Sequence, residues 1–262
     1  MTASSRFWQA RLEKYGHTGW SDPIVYAYDQ PNRLAVINAA LPANAGRRMA
    51  FDFGCGRGDV SRLLLARGWT VWAYDPFVRP VFRHPRLHVV GVGDCERLCE
   101  ATPGAFDLLL SVTVLDHILD AAEFGSTMAE LRGLCDPTGT LIMIEYALDA
   151  PSERTAYQAF RTLATWRQAL SASGWRLERA EPVAHPAAAP APGFLRFRRR
   201  WLVRLLGRLA RRRQTARAAR TVLNSLGRRC QQRDRVAAVG ASPLKLMVAR
   251  PVQRVSAELH SV

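Results

Sequence analysis

The segment that most restricts the fold is "RRMAFDFGCGRGDVSRLLLARG", residues 47–68. It predicts a buried strand, a turn with three glycines, and a helix that stops at Gly68. The missing side chains in such a turn let a ligand approach the backbone closely. A strand, a glycine turn and a helix in this order begin an α/β unit, so the rest of the chain must supply further strands beside it.

Strands and helices alternate through the rest of the chain at short spacing. Further strands are predicted in "WTVWAYD" (69–75), "RLHVVGVGD" (86–94), "FDLLLSVTVLDHI" (106–118, running into a loop), "GTLIMIEYA" (139–147), "RLERAEPV" (176–183) and "PLKLMVAR" (243–250). Helices are predicted over 31–41, 122–135 and 162–175. This order predicts an α/β fold, a parallel sheet with helices on both faces, whose ligand lies outside the carboxyl ends of the strands.

Length and composition are those of a chain with a full hydrophobic core. The 262 residues are 48% hydrophobic, and no apolar run reaches the roughly 18 residues of a membrane span. The N-terminus has no apolar stretch typical of a signal peptide, so we expect a cytoplasmic protein. The cysteines lack paired CxxC spacing, which argues against a disulfide framework and against a metal site of the zinc type. They are Cys55, Cys95, Cys99, Cys135 and Cys230.

The formal net charge of +15 is concentrated in one segment. Residues 194–235 hold 15 arginines and a single acidic residue, Asp234. The Pro/Ala linker "HPAAAPAPG" (185–193) precedes the segment, and the turn "AVGASP" (238–243) follows it. The segment therefore reads as an insertion before the last strand.

Acidic residues at successive strand ends indicate the ligand. Asp75 lies nineteen residues beyond Gly56, at a strand tip where a carboxylate can accept from both hydroxyls of a ribose. Asp94 ends the next strand and is placed to accept a hydrogen bond from an adenine amino group. Asp59 stands where a dinucleotide fold needs a small residue, and its charge would repel a pyrophosphate. An adenosine without phosphate fits these positions, as in S-adenosylmethionine.

At this point the sequence resembles the class I S-adenosylmethionine-dependent methyltransferases, over residues 48–183 and the last strand. The matching motifs are the acidic residue with GxGxG (Asp52, Gly54, Gly56, Gly58), the ribose acid Asp75, the adenine acid Asp94, the "VLDHI" loop (114–118), and "DPTGTLIMIEYA" (136–147), which is similar to the family's "PGG.l.i.E" segment. The resemblance implies a Rossmann-like, seven-stranded, mostly parallel sheet in the order 3-2-1-4-5-7-6, with the last strand antiparallel. It implies S-adenosyl-L-methionine as the cofactor, with Cys95 and Ser111 among the residues that bind it.

The segment "KYGHTGWSDPIVYAYDQPNR" (14–33) shows no clean helical or strand period. We interpret it as a lid over the methionine end of the cofactor, where Tyr28 offers a flat face, Arg33 pairs with the carboxylate and Trp20 excludes water. The alternative is a helix packed on the sheet, with Trp20 and the tyrosines in the core.

Four regions are therefore expected along the chain. They are an N-terminal lid or substrate segment (1–47), an S-adenosylmethionine-binding core (48–184), a Pro/Ala linker with an arginine-rich helical insertion (185–240), and a final strand and tail (241–262).

Methyl transfer to an oxygen needs a base unless the acceptor is already ionised. His17 from the lid and His117 from the "VLDHI" loop are the candidate bases, and Asp116 would orient either one. The alternative for His117 is a histidine satisfied within the loop. The sequence contains neither "(D/N)PPY" nor a Pro-Cys pair, so methylation of nucleic-acid bases is not indicated.

The sequence thus predicts an enzyme that methylates an oxygen or nitrogen of a small-molecule, sugar or lipid-linked acceptor. One alternative is an RNA methyltransferase whose arginines bind phosphates, although the segment has no lysines, which makes nucleic acid the less favoured partner. Another is a degenerate methyltransferase fold used as a binding module.

The apolar residues of the arginine-rich segment recur at helical spacing. Phe197, Trp201, Leu205 and Leu209 lie mostly opposite the arginines, a pattern typical of a basic amphipathic helix on an anionic membrane. We therefore expect peripheral contact with the inner face of the membrane. In the alternative, the apolar residues pack on the sheet and the arginines are solvated.

Overall fold

The computed structural model of the protein describes residues 3–15, 19–43, 46–91, 98, 100, 102–212, 214–234 and 242–252. His17, Asp94 and Cys95 lie outside the described residues, so the expectations for these three positions stay predictions. None of the helices in the described part is both long and apolar enough to span a bilayer.

The described elements follow the predicted α/β alternation. The helices are α1 (Ala3–Tyr15), α2 (Pro23–Ala40), α3 (Asp59–Ala66), α4 (Ala121–Leu134), α5 (Leu163–Ala172), α6 (Pro192–Arg199), α7 (Trp201–Leu209) and α8 (Ala216–Asp234). The strands are β1 (Met49–Phe53), β2 (Thr70–Tyr74), β3 (Leu87–Val90), β4 (Phe106–Val112), β5 (Cys135–Leu148), β6 (Arg161–Thr162), β7 (Trp175–Pro182) and β8 (Leu244–Pro251). A 3-10 turn over Leu115–His117 follows β4.

The described strands form one sheet in the order β3-β2-β1-β4-β5-β8-β7, with the two-residue β6 paired to β5 beside it. The first five run parallel, and β8 lies antiparallel between β5 and β7. With β6 set aside, this is the predicted order 3-2-1-4-5-7-6, and the predicted Rossmann-like fold is confirmed. Because the strand order reverses between β1 and β4, the carboxyl ends of these strands are where a ligand cleft is expected.

Apolar residues along the central strands build a core on each face of the sheet. In β4, Leu108 and Leu110 join the core formed with α2 and α3, whereas Leu109 joins the core formed with α4 and α5. Successive side chains of a strand point to opposite faces. The continuous apolar run of β4 is therefore what a strand covered on both faces requires.

Helix α2 begins eight residues before the predicted helix over 31–41. The Asp22 carboxylate accepts a hydrogen bond from the Ile24 N–H at 2.8 Å, and Pro23 follows the cap, where its missing N–H costs no helical bond. Pro31 lies inside the helix. Residues 23–33, which show no clean period in the sequence, are therefore helical.

In the chain, helices α6, α7 and α8 come between β7 and β8. All three pack on α2. The Tyr28 ring of α2 lies 5.4 Å from the Phe194 ring and 5.7 Å from the Phe197 ring, centroid to centroid. Val203 of α7 and Leu223 of α8 complete this third core. Burial of each large apolar side chain there stabilises the fold by about 1.5–3 kcal/mol.

The prediction of one amphipathic helix through Phe197 and Leu209 is wrong. Arg200 has an extended backbone (φ −64°, ψ 129°), so α6 ends before it and α7 begins after it. Phe197 is 1% exposed, whereas Trp201 is 74% exposed. Because of this break, the two helices do not share one helical period. A single period therefore does not predict which of their apolar residues are exposed.

We predict that Gly227→Ala destabilises the packing of α8 on α2. A Cβ atom at this position would overlap the carbonyl group of Ala27. Overpacking of this kind costs about 1–3 kcal/mol, which chemical denaturation should detect as a lower free energy of unfolding. Gly125→Ala in α4 is the matched control, because nothing lies within 4 Å of a Cβ there, and it should be neutral or stabilise by up to about 1 kcal/mol. Equal stability of the two variants would contradict the close contact.

Candidate active site

A cleft of about 1070 Å³ opens at the carboxyl ends of β1, β2 and β4. Its walls come from the glycine turn after β1, the tip of β2, the loop after β4, residues 156–158, and the helices α1 and α2. Small-molecule sites typically occupy about 300–1,000 Å³. The cleft therefore has room for a cofactor and an acceptor together.

The glycine turn forms part of the cleft wall. Gly54 and Gly56 line it with φ values of 76° and 52°, in the left-handed region that favours glycine. A Cβ atom at Gly54 would overlap the Val114 side chain. The N–H groups of Gly54 and Cys55 donate to the Tyr74 carbonyl at 2.7 and 2.9 Å, which fixes the turn against β2.

Gly58 belongs to the same turn but does not line the cleft. It caps α3 with φ 84°, and a Cβ atom there would lie 2.8 Å from Phe82 and 2.9 Å from Pro80. The third predicted glycine is therefore required for packing.

Asp75 ties the tip of β2 to the glycine turn. Its Oδ2 accepts from the Gly56 N–H at 3.0 Å, and its Oδ1 accepts from the Phe77 and Val78 N–H groups at 2.8 and 2.9 Å. Burial raises the pKa of this carboxyl above its ordinary value, against the effect of the three donors. The side chain lines the cleft, as its predicted role in ribose binding requires.

Two predicted cofactor residues lie beneath the cleft. Asp52 is 2% exposed and accepts a hydrogen bond from the Ser61 hydroxyl at 2.5 Å, and burial raises its pKa to about 7. Ser111 is 1% exposed and donates to Glu145 at 2.8 Å. Among the residues that the structure describes as lining the cleft, neither Asp52 nor Ser111 is found. Their hydrogen bonds to Ser61 and to Glu145 stabilise the strand ends next to the cleft.

One face of α2 forms a wall of the cleft. Tyr26, Gln30 and Arg33 recur at helical spacing and all line it. The Tyr26 hydroxyl donates to Asp59 at 3.0 Å, and the Gln30 amide lies 3.5 Å from the same carboxylate. Tyr28 lies on the opposite side of the helix, 3% exposed against α6, so the structure places this predicted cofactor residue in the third core.

Arg33 is anchored within the wall by two partners. Its Nε donates to Asp29 at 2.7 Å, and its Nη1 donates to the Thr113 hydroxyl at 3.3 Å. The Trp20 indole N–H donates to the same Asp29 carboxylate at 2.6 Å. Because Trp20 and Arg33 both line the cleft, Asp29 holds two of the predicted lid residues in place.

Glu145 organises the loop that follows β4. This fully buried carboxylate accepts from the N–H groups of Val114 and Leu115 at 3.1 and 3.2 Å and from the Ser111 hydroxyl at 2.8 Å. Burial, and then the charge of Asp116, raises its pKa well above the ordinary value. Thr113 takes a φ of 52°, an unusual conformation for a β-branched residue. The loop is therefore held in a strained shape beside the cleft.

His117 and Asp116 form the predicted pair, with only His117 in the wall of the cleft. Nδ1 of His117 lies 2.6 Å from the Tyr157 carbonyl, which can only accept, so this nitrogen carries a proton. Nε2 lies 3.4 Å from Asp116 Oδ1, which has no hydrogen-bond partner among the residues the structure describes. The Gln158 amide donates to Asp116 Oδ2 at 2.6 Å. A proton on Nδ1 leaves the ring lone pair on Nε2, and the buried Asp116 carboxylate lies beside this nitrogen.

Sequence reasoning missed several residues of the site. Glu145 had a readable signal, because it is a lone carboxylate inside the apolar run "LIMIEYA". Phe7 and Trp8 of α1 and Tyr157 line the cleft. Their segments carry no motif, and only the fold brings them to the cleft.

A family model described as a methyltransferase domain matches residues 27–181, more than half of the chain. The chain belongs to the methyltransferase-domain family. This confirms the resemblance to the class I S-adenosylmethionine-dependent methyltransferases and, with it, S-adenosyl-L-methionine as the cofactor.

Curated relatives are similar to this methyltransferase over its core. The ubiquinone biosynthesis O-methyltransferase of Dechloromonas aromatica (strain RCB) is 30% identical over 137 residues, which cover 47% of this chain and 58% of the relative. That of Pseudomonas aeruginosa (strain LESB58) is 26% identical over 143 residues, which cover 51% of this chain and 60% of the relative. The chain thus matches little more than half the length of these relatives.

Solved structures share the fold of this methyltransferase. The 1,6-didemethyltoxoflavin-N1-methyltransferase of Burkholderia thailandensis, with 1,6-didemethyltoxoflavin and S-adenosylhomocysteine bound, has a TM-score of 0.58 at 16% identity and covers 97% of this chain and 92% of its own. Phosphoethanolamine N-methyltransferase 2 of Haemonchus contortus, in complex with S-adenosyl-L-methionine, has a TM-score of 0.56 at 15% identity, covering 94% of this chain and 60% of its own. At these identities the likeness shows the fold alone.

We predict that Asp75→Ala weakens S-adenosylmethionine binding about 10- to 150-fold, because hydrogen bonds to a charged group contribute about 1.5–3 kcal/mol. Calorimetry gives the dissociation constant. Asp136→Ala is the matched control, since Asp136 accepts comparable turn bonds from Thr138 but lies at the start of β5, away from the carboxyl ends of the strands. Unchanged affinity in Asp75→Ala would refute the ribose assignment.

Proposed function

We propose that the protein transfers a methyl group from S-adenosyl-L-methionine to an oxygen of a small-molecule acceptor. The observation that carries the proposal is that one cleft is lined by the glycine turn, by Asp75 and by His117. The O-methyltransferase names of the curated relatives support oxygen as the acceptor atom. Nothing in the comparisons favours the RNA alternative.

The residues present fit the cofactor. Gly54, Gly56 and Asp75 would hold the adenosine, and Arg33 would pair with the carboxylate of the methionine part. When bound, S-adenosylmethionine supplies an electrophilic methyl group, which the acceptor oxygen gains as its new C–O bond while the C–S bond breaks and leaves its electron pair on sulfur. Trp20 and Tyr146 line the same cleft and would exclude water from it.

His117 is the general base of this proposal. The Tyr157 carbonyl keeps the ring proton on Nδ1, so Nε2 takes the proton of the acceptor hydroxyl. The Asp116 carboxylate, with Oδ1 3.4 Å from Nε2, would then face the positive charge that forms on the ring. Asp116 acts through His117 and is a positioning residue. The role of His17 stays a prediction.

We predict that His117→Ala lowers turnover by more than tenfold while S-adenosylmethionine affinity is retained, because general bases contribute about 10²- to 10⁴-fold. Turnover is measured with an acceptor that the wild-type protein methylates. His84→Ala is the control, since this exposed histidine lies outside the walls of the cleft. Full activity of His117→Ala would remove His117 from the chemistry.

The acceptor we propose is small, and the arginine-rich insertion favours one that is attached to a lipid. Helices α6 and α7 expose four large apolar side chains, which we call the apolar ridge: Leu195 (42% exposed), Trp201 (74%), Leu202 (39%) and Leu205 (43%). Tryptophan and leucine on an exposed helix face suit the interfacial region of a bilayer.

The segment that carries the ridge also holds exposed arginines. They are Arg198, Arg199, Arg200, Arg204 and Arg208. Each cation near an acidic bilayer contributes about 1 kcal/mol, so the charge of this surface is complementary to anionic lipid. We infer peripheral contact with the inner face of an anionic membrane, with α6 and α7 as the contacting helices.

We predict that the protein floats with phosphatidylglycerol-containing vesicles and does not float with phosphatidylcholine vesicles. Trp201→Glu with Leu205→Glu should abolish flotation, whereas Val89→Glu, which changes an exposed apolar residue of the edge strand β3, should leave it intact. Phe197 is not a suitable test position, because it is buried. Indifference to both vesicle types, together with salt-sensitive RNA binding, would support the RNA alternative instead.

A further inference from the structure

His185 lies in the linker between β7 and α6 and contacts Tyr146, which lines the cleft. Nε2 of the His185 ring lies 2.9 Å from the Tyr146 hydroxyl oxygen. His185 is 7% exposed, and its backbone N–H and carbonyl both bond with the backbone of Ala189, at 2.9 and 3.0 Å. A buried imidazole from the linker is therefore hydrogen bonded to a residue of the cleft wall.

The hydrogen bonds at the other ring nitrogen fix the tautomer of His185. Its Nδ1 lies 2.9 Å from the backbone nitrogen of Ala188 and 3.3 Å from that of Ala187. Backbone N–H groups only donate, so Nδ1 accepts from them and carries no proton. Burial lowers the pKa of His185, which keeps the ring neutral at pH 7. The single proton of this neutral ring therefore lies on Nε2, and Nε2 donates to the Tyr146 oxygen.

This donation determines the role of the Tyr146 hydroxyl. A phenol hydroxyl has one proton, and because its oxygen accepts from His185, that proton points elsewhere. Within the described part of the chain, the Tyr146 hydroxyl makes the bond to His185 and no other. Burial raises the pKa of Tyr146 to about 12, so the hydroxyl keeps its proton at pH 7. The hydroxyl thus has a proton to donate, on a side chain that lines the cleft.

Tyr146 is held on the side of the cleft away from Asp75. Its ring meets the Phe160 ring edge to face at 5.5 Å, and its carbonyl accepts from the Trp166 indole N–H at 2.8 Å. Tyr146 belongs to β5, whereas Asp75 follows β2, and β1 and β4 lie between these strands. Three strand spacings amount to about 14 Å. A cofactor that binds Asp75 and brings its methyl group to the His117 loop after β4 leaves the β5 side of the cleft to the acceptor.

We propose that Tyr146 is a specificity-determining residue, which donates a hydrogen bond to an oxygen of the bound acceptor, and that His185 keeps it in this donor role. The subsite takes an oxygen lone pair, as a carbonyl or carboxylate group offers. An N–H or C–H group at the same place leaves the hydroxyl without a partner, which weakens binding. This inference rests on the proposed methyl transfer and specifies what the acceptor presents to β5.

The tautomer of His185 is the first test. Long-range ¹H–¹⁵N correlation spectra of the full chain, with labelled histidine, show which ring nitrogen is protonated. We expect the proton of His185 on Nε2 and that of His117 on Nδ1, so the two histidines give opposite patterns in one spectrum. His185→Gln assigns the His185 signals. A proton on Nδ1 of His185 would overturn the proposal, because Nε2 would then accept from Tyr146 and take up the proton meant for the acceptor.

The direction of the Tyr146 hydrogen bond is the second test. The full chain carries tyrosine labelled with ¹³C at Cζ, is saturated with S-adenosylhomocysteine, and is titrated with acetate, which offers only oxygen lone pairs, or with methylammonium, which offers only N–H groups. We expect a saturable shift of the Tyr146 signal with acetate and none with methylammonium. Tyr146→Phe assigns the signal.

Variants of His185 test its part in the subsite. His185→Leu removes the donor to Tyr146 and should weaken acetate binding about two- to tenfold, the effect of one hydrogen bond. His185→Gln still offers an N–H and should weaken it less. His84→Leu, at an exposed histidine, is the matched control and should change nothing. Equal acetate affinity in His185→Leu and the wild type would remove His185 from the subsite.

Two results would overturn the donor role toward the acceptor. One is a Tyr146 signal that ignores acetate or follows methylammonium. The other is a Tyr146 signal that shifts when S-adenosylhomocysteine is added but not with 5′-deoxy-5′-methylthioadenosine, which lacks the amino-acid part, because the hydroxyl would then serve the carboxylate of the cofactor.

Calorimetry on the same samples separates the two levels of failure. If the wild-type protein binds S-adenosylhomocysteine but its Tyr146 signal does not respond to acetate, only the subsite fails. If the protein does not bind S-adenosylhomocysteine, the proposed function itself fails.

Discussion

The site depends on one buried carboxylate. Glu145 lies near the carboxyl end of β5 and is fully buried, where a polar group without partners would be costly. Its donors are the Ser111 hydroxyl and the backbone N–H groups of the loop after β4. This requirement holds the loop against the sheet. It places Val114 where only a glycine at position 54 leaves room for it, and it turns His117 into the cleft. The position of Val114 against Gly54, the strained Thr113 and the proposed base therefore all lie on the loop that Glu145 holds by hydrogen bonds.

Helix α2 connects the chemistry to the basic insertion because its two sides have different neighbours. Tyr26 and Arg33 face the cleft, whereas Tyr28 packs against α6. The close approach of Gly227 to the backbone of Ala27 joins α8 to the same helix. An acceptor delivered at the surface of α6 and α7 would thus reach a helix that forms a wall of the site. The arrangement gives a physical connection between the apolar ridge and the cleft.

The sequence predicted the part of the site that is local to strand ends. Gly54, Gly56 and Asp75 were assigned from spacing, and all three line the cleft, because the carboxyl ends of parallel strands meet at one edge of a sheet. Asp52 and Ser111 were assigned through the family resemblance, and both are buried in their strands and do not line the cleft. Tyr28 was misplaced because the helical phase of residues 23–33 was not visible across Pro31. The contacts of Phe7 with Tyr157 and of Trp8 with His117 could not be predicted, since these partners lie about 150 and 110 residues apart in the chain.

The sequence by itself indicated the family, because the family's motifs are short and each lies within one strand, one turn and one helix, and the resemblance to the family then implied the strand order and the cofactor. Only the tertiary structure decided which side chains face the acceptor, how Nδ1 of His117 is held by the Tyr157 carbonyl, and which residues of the arginine-rich segment are exposed. A single extended residue, Arg200, breaks that segment into two helices and moves Phe197 into the core while Trp201 stays outside. Such outcomes follow from packing between segments far apart in the chain, which local periodicity does not encode.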